Sequence, residues 1–170
     1  VNTVKEKYEL TYDMVNIARR KLYRIRALRS FGDVKAGDLG GYVESESNLS
    51  HSGHAWISGD SEVFGDGRVS GNAQICGNCE VYEQAHVYGN ARIYGGVSVF
   101  GSARVYGNAR LYDNVWAYMK VCIYGNAWIL GDTEVYGINI KLNSGIWNKI
   151  LNIDEQEYVI STTLQKILLE

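Results

Sequence analysis

Counting in sixes from Ile57, the chain places an aliphatic residue at Ile57, Val63, Val69, Ile75, Val81, Val87, Ile93, Val99, Val105, Leu111, Ala117, Ile123, Ile129 and Val135 with no insertion. Four places after each stands a mostly small residue: Ser61, Gly67, Ala73, Cys79, Ala85, Ala91, Val97, Ala103, Ala109, Val115, Val121, Ala127, Thr133 and Asn139. Polar and aromatic residues occupy the places on either side of each aliphatic. Alternation of that kind over so few residues predicts a very short strand with one side turned inward. Between the strands lie Gly-Asn, Gly-Asp, Gly-Ser and Asp-Asn pairs, which accept the left-handed backbone angles of a tight corner. Each hexad therefore reads as one strand and one corner.

Spacing eighteen decides how many strands make a turn. The column Ile57, Ile75, Ile93, Leu111, Ile129 holds the longer aliphatics, and the next reads Val63, Val81, Val99, Ala117, Val135. The corner column Ala55, Ala73, Ala91, Ala109, Ala127 holds a single residue type. Like stacks on like at this spacing, so three hexads make one coil of a triangular parallel β-helix. Five to six such coils at about 4.8 Å each predict a prism on the order of 27 Å tall. The register continues upstream as Leu39/Val43, Ser45/Leu49 and His51/Ala55, where only the second inward place stays apolar, as in a capping coil. We divide the chain into a β-hairpin-like cap over 1–38, a repeat β-helix over 39–140 and a capping or oligomerisation tail over 141–170. LYRIRALRSFG alternates with strand period, and EYVISTTLQKILLE, outside the hexad phase, reads as a strand running into a short helix.

A chain of 170 residues suggests one domain, and the absence of proline alongside nineteen glycines leaves the turns to Gly and Asn. Net charge is −2, which argues against direct nucleic-acid binding. The distribution is uneven: residues 1–38 carry nine Lys/Arg against five Asp/Glu, whereas 39–140 carry five against ten. The basic cluster of Arg19, Arg20, Lys21, Arg24, Arg26 and Arg29 reads as the polar side of an alternating strand. No apolar run of roughly 20 residues spans a bilayer, and Cys76, Cys79 and Cys122 are too few for a disulfide framework. A cytoplasmic location, away from membranes, is the expectation.

The fourteen in-phase hexads resemble the hexapeptide-repeat family, over roughly residues 39–140. That resemblance, rather than periodicity, implies an all-β, left-handed parallel β-helix with small N- and C-terminal caps. Many members are acyltransferases that use a histidine base beside an interrupting loop. Here His86 lies on the outer surface of an unbroken series of coils, and the sequence offers it no orienting partner. The family's carbonic anhydrases hold zinc on three histidines, but the spacing of His51, His54 and His86 puts them on different levels. Cys76 and Cys79 form a CxxC whose first sulfur should face out and whose second should face in. No catalytic residue, metal site or cofactor is expected.

The outward positions carry the functional expectation. One side displays Phe64, Tyr82, Phe100, Tyr118 and Tyr136 beside Glu62, Glu80, Trp116 and Glu134, a column too apolar to stay bare, which reads as an oligomer or cap interface. A second side carries Trp56, Arg92, Tyr94, Arg110, Tyr112 and Trp128. The third carries Arg68, His86, Tyr88, Arg104, Tyr106 and Tyr124. Trp, Tyr and Arg are enriched at interface hot spots. We read Trp56, Arg92, Tyr94, Arg110, Tyr112, Trp128, Arg104 and Tyr106 as a binding surface, although tyrosine ladders also stabilise stacked strands by themselves.

The stretch FGDVKAGDLGGYVESESNLSHSGHAW, residues 31–56, with the hexads after it, is similar to repeat proteins of bacteriophage and prophage genomes. The likeness extends to LYRIRALR and EYVISTTLQKIL. It implies a non-enzymatic binding protein in the bacterial host cytoplasm whose partner is a host protein or ribonucleoprotein, including components of antiviral defence such as CRISPR systems. Assembly as a homodimer or homotrimer is expected. The alternatives are an acyltransferase-like enzyme and a sponge for a small anionic ligand, such as a nucleotide, held between subunits by Arg92, Arg104 or Arg110.

Overall fold

In the computed structural model the described residues are 5–147, 151–152 and 158–160, with the side chains of Asn139 and of Trp147 onward excepted. They form a three-sided β-solenoid built almost wholly of strands, with one 3-10 turn at Glu46–Asn48. Every inward aliphatic from Ile57 to Val135 is buried, and so are the small corner residues from Ser61 to Thr133. Parallel strands pair eighteen residues apart: Val63 with Val81, Ile75 with Ile93, Val87 with Val105. Three sheets result. Face 1 runs through Val63, Val81, Val99, Ala117 and Val135; face 2 through Ile57, Ile75, Ile93, Leu111 and Ile129; face 3 through Val69, Val87, Val105 and Ile123.

Corners turn on residues with positive φ. Gly71, Gly89, Gly107 and Gly125, with φ of 60–66°, stack in one column, where a Cβ on Gly89 would come within 2.9 Å of the Gly107 amide. Three corner positions elsewhere hold a side chain in this conformation: Glu83, Asp113 and Met119. Two repair part of the strain locally, the Glu83 carboxylate accepting from the Gly101 amide at 2.7 Å and Asp113 from Gly131 at 3.2 Å.

The N-terminal region extends face 1 rather than covering it. Strands β1 (Tyr8–Ile17) and β2 (Arg20–Ala27) form an antiparallel hairpin, and β2 pairs antiparallel with β3 (Leu39–Val43), which pairs parallel with Glu62–Val63. The unpaired edge that a terminal coil would expose on this face is thereby filled. Gly40 and Gly41 permit this crossing, since a Cβ on Gly41 would lie 2.4 Å from the Ser61 carbonyl oxygen. The other end of β1 plugs the top of the solenoid. The Lys7 Nζ donates to the Ala55 carbonyl at 2.7 Å, and the Tyr8 hydroxyl donates to the Leu49 carbonyl at 2.7 Å.

Two features depart from the sequence register. Val43 pairs with Val63 and Leu49 with Val69, twenty residues apart, so both are strand aliphatics rather than corner residues. Leu49 precedes Ala55 by six residues, where Val69 precedes Ala73 by four, and the two additional residues lie in the corner over 50–54 that carries His51 and His54. At the far end, Ile138–Leu142 pairs with Lys120–Ile123 through a bulge that puts Leu142, nineteen residues on, beside Ile123. Strands Ile146–Trp147, Leu151–Asn152 and Tyr158–Ile160 then add a further rung to each face beyond residue 140. The short helix expected at the end of the chain lies outside the described residues.

Candidate functional surface

Face 1 presents an aromatic ladder. Phe64, Tyr82, Phe100, Tyr118 and Tyr136 stack nearly parallel, successive centroids 5.0, 5.0, 4.8 and 5.0 Å apart. Their spacing follows the strand repeat, so each ring covers its neighbours and the column is half-buried within one chain. The expectation that a terminal segment covers it is not met by the hairpin, which sits at the edge of the same sheet. Acidic residues flank the ladder. Burial, then the neighbouring Glu80 and Asp60 carboxylates, raise the Glu62 pKa, and burial with Glu80 and Glu83 raises that of Tyr82.

Faces 2 and 3 have the opposite polarity. On face 2, Arg92 and Arg110 are register partners on adjacent strands, followed by Trp128. The Arg110 guanidinium lies 4.8 Å from the Trp128 ring centre, and Tyr94 stacks on Tyr112 at 5.5 Å. On face 3 the column Arg68, His86, Arg104, Cys122, Lys141 runs beside stacked Tyr88, Tyr106 and Tyr124. Arg104 and Tyr106 thus lie on a different side from Arg92 and Arg110, and the three arginines are not one cluster.

Trp56 does not join this surface. It is 4% exposed, with its ring edge-on to Phe31 at 5.4 Å and to Tyr8 at 6.5 Å, because residues 5–8 and the loop before β3 fold over the first coil. Trp128, four coils on in the same column, is 37% exposed.

Three of the six basic residues of the hairpin cluster are paired with acids. Arg20 pairs with Glu44, Arg24 with Asp13 and Asp60, and Arg26 with Glu9. Among the described residues, Arg68, Arg92, Arg104 and Arg110 make no ion pair. Summed charge therefore conceals the distribution: Arg20, Arg24 and Arg26 of the basic N-terminal segment are matched by acids, and uncompensated arginines also lie on the acidic solenoid.

His86 has a partner that the sequence did not disclose, Ser70 Oγ, at 2.9 Å from Nε2, and it packs against Tyr88. Burial, then Arg68 and Arg104, lowers its pKa from the ordinary value. His51 stacks on Tyr8 at 4.3 Å, and His54 lies exposed in the same corner, whereas His86 sits on face 3. Among the described residues no three metal-binding side chains converge. Cys79 is buried, its thiol pushed up to about 11 by burial, with the Cys76 and Gly95 carbonyls both within 3.3 Å of its Sγ, whereas Cys76 is half-buried. No described helix is long and apolar enough to cross a membrane.

A groove of ligand-sized volume lies among the described residues. It has a volume of about 590 Å³ and runs along the corner between faces 3 and 2, with Asn72, Asn90, Asn108 and Asn126 on one wall and Arg92 and Arg110 on the other. Gly32, Asp33 and His54 close its N-terminal end. The asparagine ladder is readable in the sequence as the Gly-Asn corners, whose residue type also serves the turns.

Residues 85–101, about one coil, match the family described as YdcK β-solenoid repeat. No curated protein matches the chain. The match and the stacked coils agree on a repeat β-solenoid fold.

Proposed function

We propose that this protein is a non-enzymatic, phage- or prophage-encoded binding protein that applies the outer faces of a rigid β-solenoid to a macromolecule of the bacterial host, such as a component of antiviral defence. The observation that carries this reading is the arrangement of uncompensated arginines beside stacked tyrosines on faces 2 and 3, opposite an acidic aromatic face 1. Aromatic rings held rigid by stacking contribute contact area at little entropic cost, and arginines without acid partners can pair with a partner's carboxylates or phosphates. Polarity that differs between sides also suits self-association of unlike faces into an oligomer. An acyl-transfer reading draws on the Ser70–His86 hydrogen bond, but burial, and then the two flanking arginines, make that imidazole a weaker base.

The test is affinity capture from bacterial host lysate with native mass analysis of the eluate, for the parent protein and for Tyr94→Ser/Tyr112→Ser and Arg104→Gln/Tyr106→Ser. A stoichiometric host macromolecule retained by the parent and lost with at least one double variant is the expected outcome. Capture of nothing, or of a species that both variants retain, contradicts the reading.

A further inference from the structure

Arg92 and Arg110 stand directly opposite each other on adjacent parallel strands, about 4.8 Å apart along the solenoid axis. Like charges in cross-strand register repel, and neither guanidinium has a carboxylate partner among the described residues. The Arg110 guanidinium faces the Trp128 ring. This face accordingly carries a repulsion that an anion seated between the two guanidiniums would relieve. Their planar forks match the oxygens of a phosphoryl group, each offering two parallel donors.

The opposite wall asks for something different. Asn72 Nδ2 donates to Asn90 Oδ1 at 3.1 Å, Asn90 to Asn108 at 3.3 Å and Asn108 to Asn126 at 3.4 Å, and the Asn72 Oδ1 accepts from the His54 amide. All rungs run in one direction, so Asn90 and Asn108 each keep one amide donor and one acceptor lone pair for a ligand. A group that both donates and accepts satisfies such a rung, and a hydroxyl does so. Asp33, at the closed end, accepts from hydroxyls and repels anions, which directs a phosphoryl group to the arginine end. A volume of about 590 Å³ is in the range of small-ligand sites.

We propose that this groove binds a small phosphorylated ligand rich in hydroxyl groups, the chemistry shared by nucleotides and sugar phosphates, within a single chain. The site stands independently of the macromolecular reading above, because its ligand is tested on the purified protein alone.

Calorimetric titration of the full chain with adenosine 5′-monophosphate, glucose 6-phosphate, their unphosphorylated counterparts and inorganic phosphate is the direct test. At least one of the two phosphorylated compounds should bind saturably at one per chain, and its unphosphorylated counterpart at least about tenfold more weakly. The better of the two identifies the source as nucleotide or sugar. Arg92→Gln/Arg110→Gln should lose the same factor, with its thermal transition not lowered, and Asn108→Asp, which adds a carboxylate to the ladder, should also weaken binding. Arg104→Gln, on face 3, should bind like the parent. Absence of saturable binding, affinity unchanged in the double variant, inorganic phosphate binding as tightly as the better ester, or fewer than one ligand per chain would each overturn the proposal.

Discussion

Lys7 is fully buried at the top of the first coil, its ammonium held by the Ala55 carbonyl and facing the Phe31 ring at 5.1 Å. Burial, then the Arg29 charge, lowers its pKa from 10.5 to about 8. Between those two values the unfolded chain binds more protons than the folded one, so stability rises with pH from about 8. The adjacent Tyr8 acts in the opposite sense: burial and Glu46 raise its pKa above the ordinary 10.0, so above pH 10 the unfolded chain alone loses that proton and stability falls. Urea unfolding should therefore show a gain of about 2 kcal/mol between pH 7 and 10 and a decline beyond. Lys7→Met should abolish the gain, and a parent-like gain in that variant would contradict the assignment to Lys7. Neither contact was legible in the sequence, because Lys7 and Tyr8 precede the repeat and reach carbonyls over forty positions away. Trp56 was misplaced for the same reason. Its column is outward by register, and only the long-range approach of Phe31 and Tyr8 buries it.

At the level of elements, the β1–β2 hairpin closes on Ala18 and Arg19, both with positive φ, at 46° and 68°. A two-residue loop of this kind matches the strand twist but prefers Asn-Gly, since a Cβ in the left-handed region costs roughly 1–2 kcal/mol. Replacing Ala18-Arg19 by Asn-Gly should raise stability by about 1 kcal/mol, read from the urea midpoint at unchanged slope. A lowered midpoint would show that the turn is not strained. The hexads themselves were fully legible, because every inward place obeys one period and buries one kind of residue. The insertion at 50–54 was not: Val43 and Leu49 keep their own spacing of six, and their offset of two against Val63 and Val69 exists only in the pairing. The bulge before Leu142 escaped notice in the same manner, since one added residue changes the phase without changing the composition.

For the whole molecule, the account rests on a solenoid whose sides differ in charge while each carries stacked rings. The aromatic columns were readable from the register, yet the state of the arginines was not, because neutralisation depends on which acids the hairpin brings near them. The measurement that tests the central claim most directly is hydroxyl-radical footprinting, read residue by residue on the free protein and on the species eluted from host lysate. The account predicts that Trp128, Tyr94 and Tyr112 are oxidised in the free protein while Tyr8 and Trp56 are protected, and that aromatics of face 2 or face 3 become protected in the complex. Oxidation of Trp56 as fast as Trp128 in the free protein, or a complex in which no face gains protection, would contradict it.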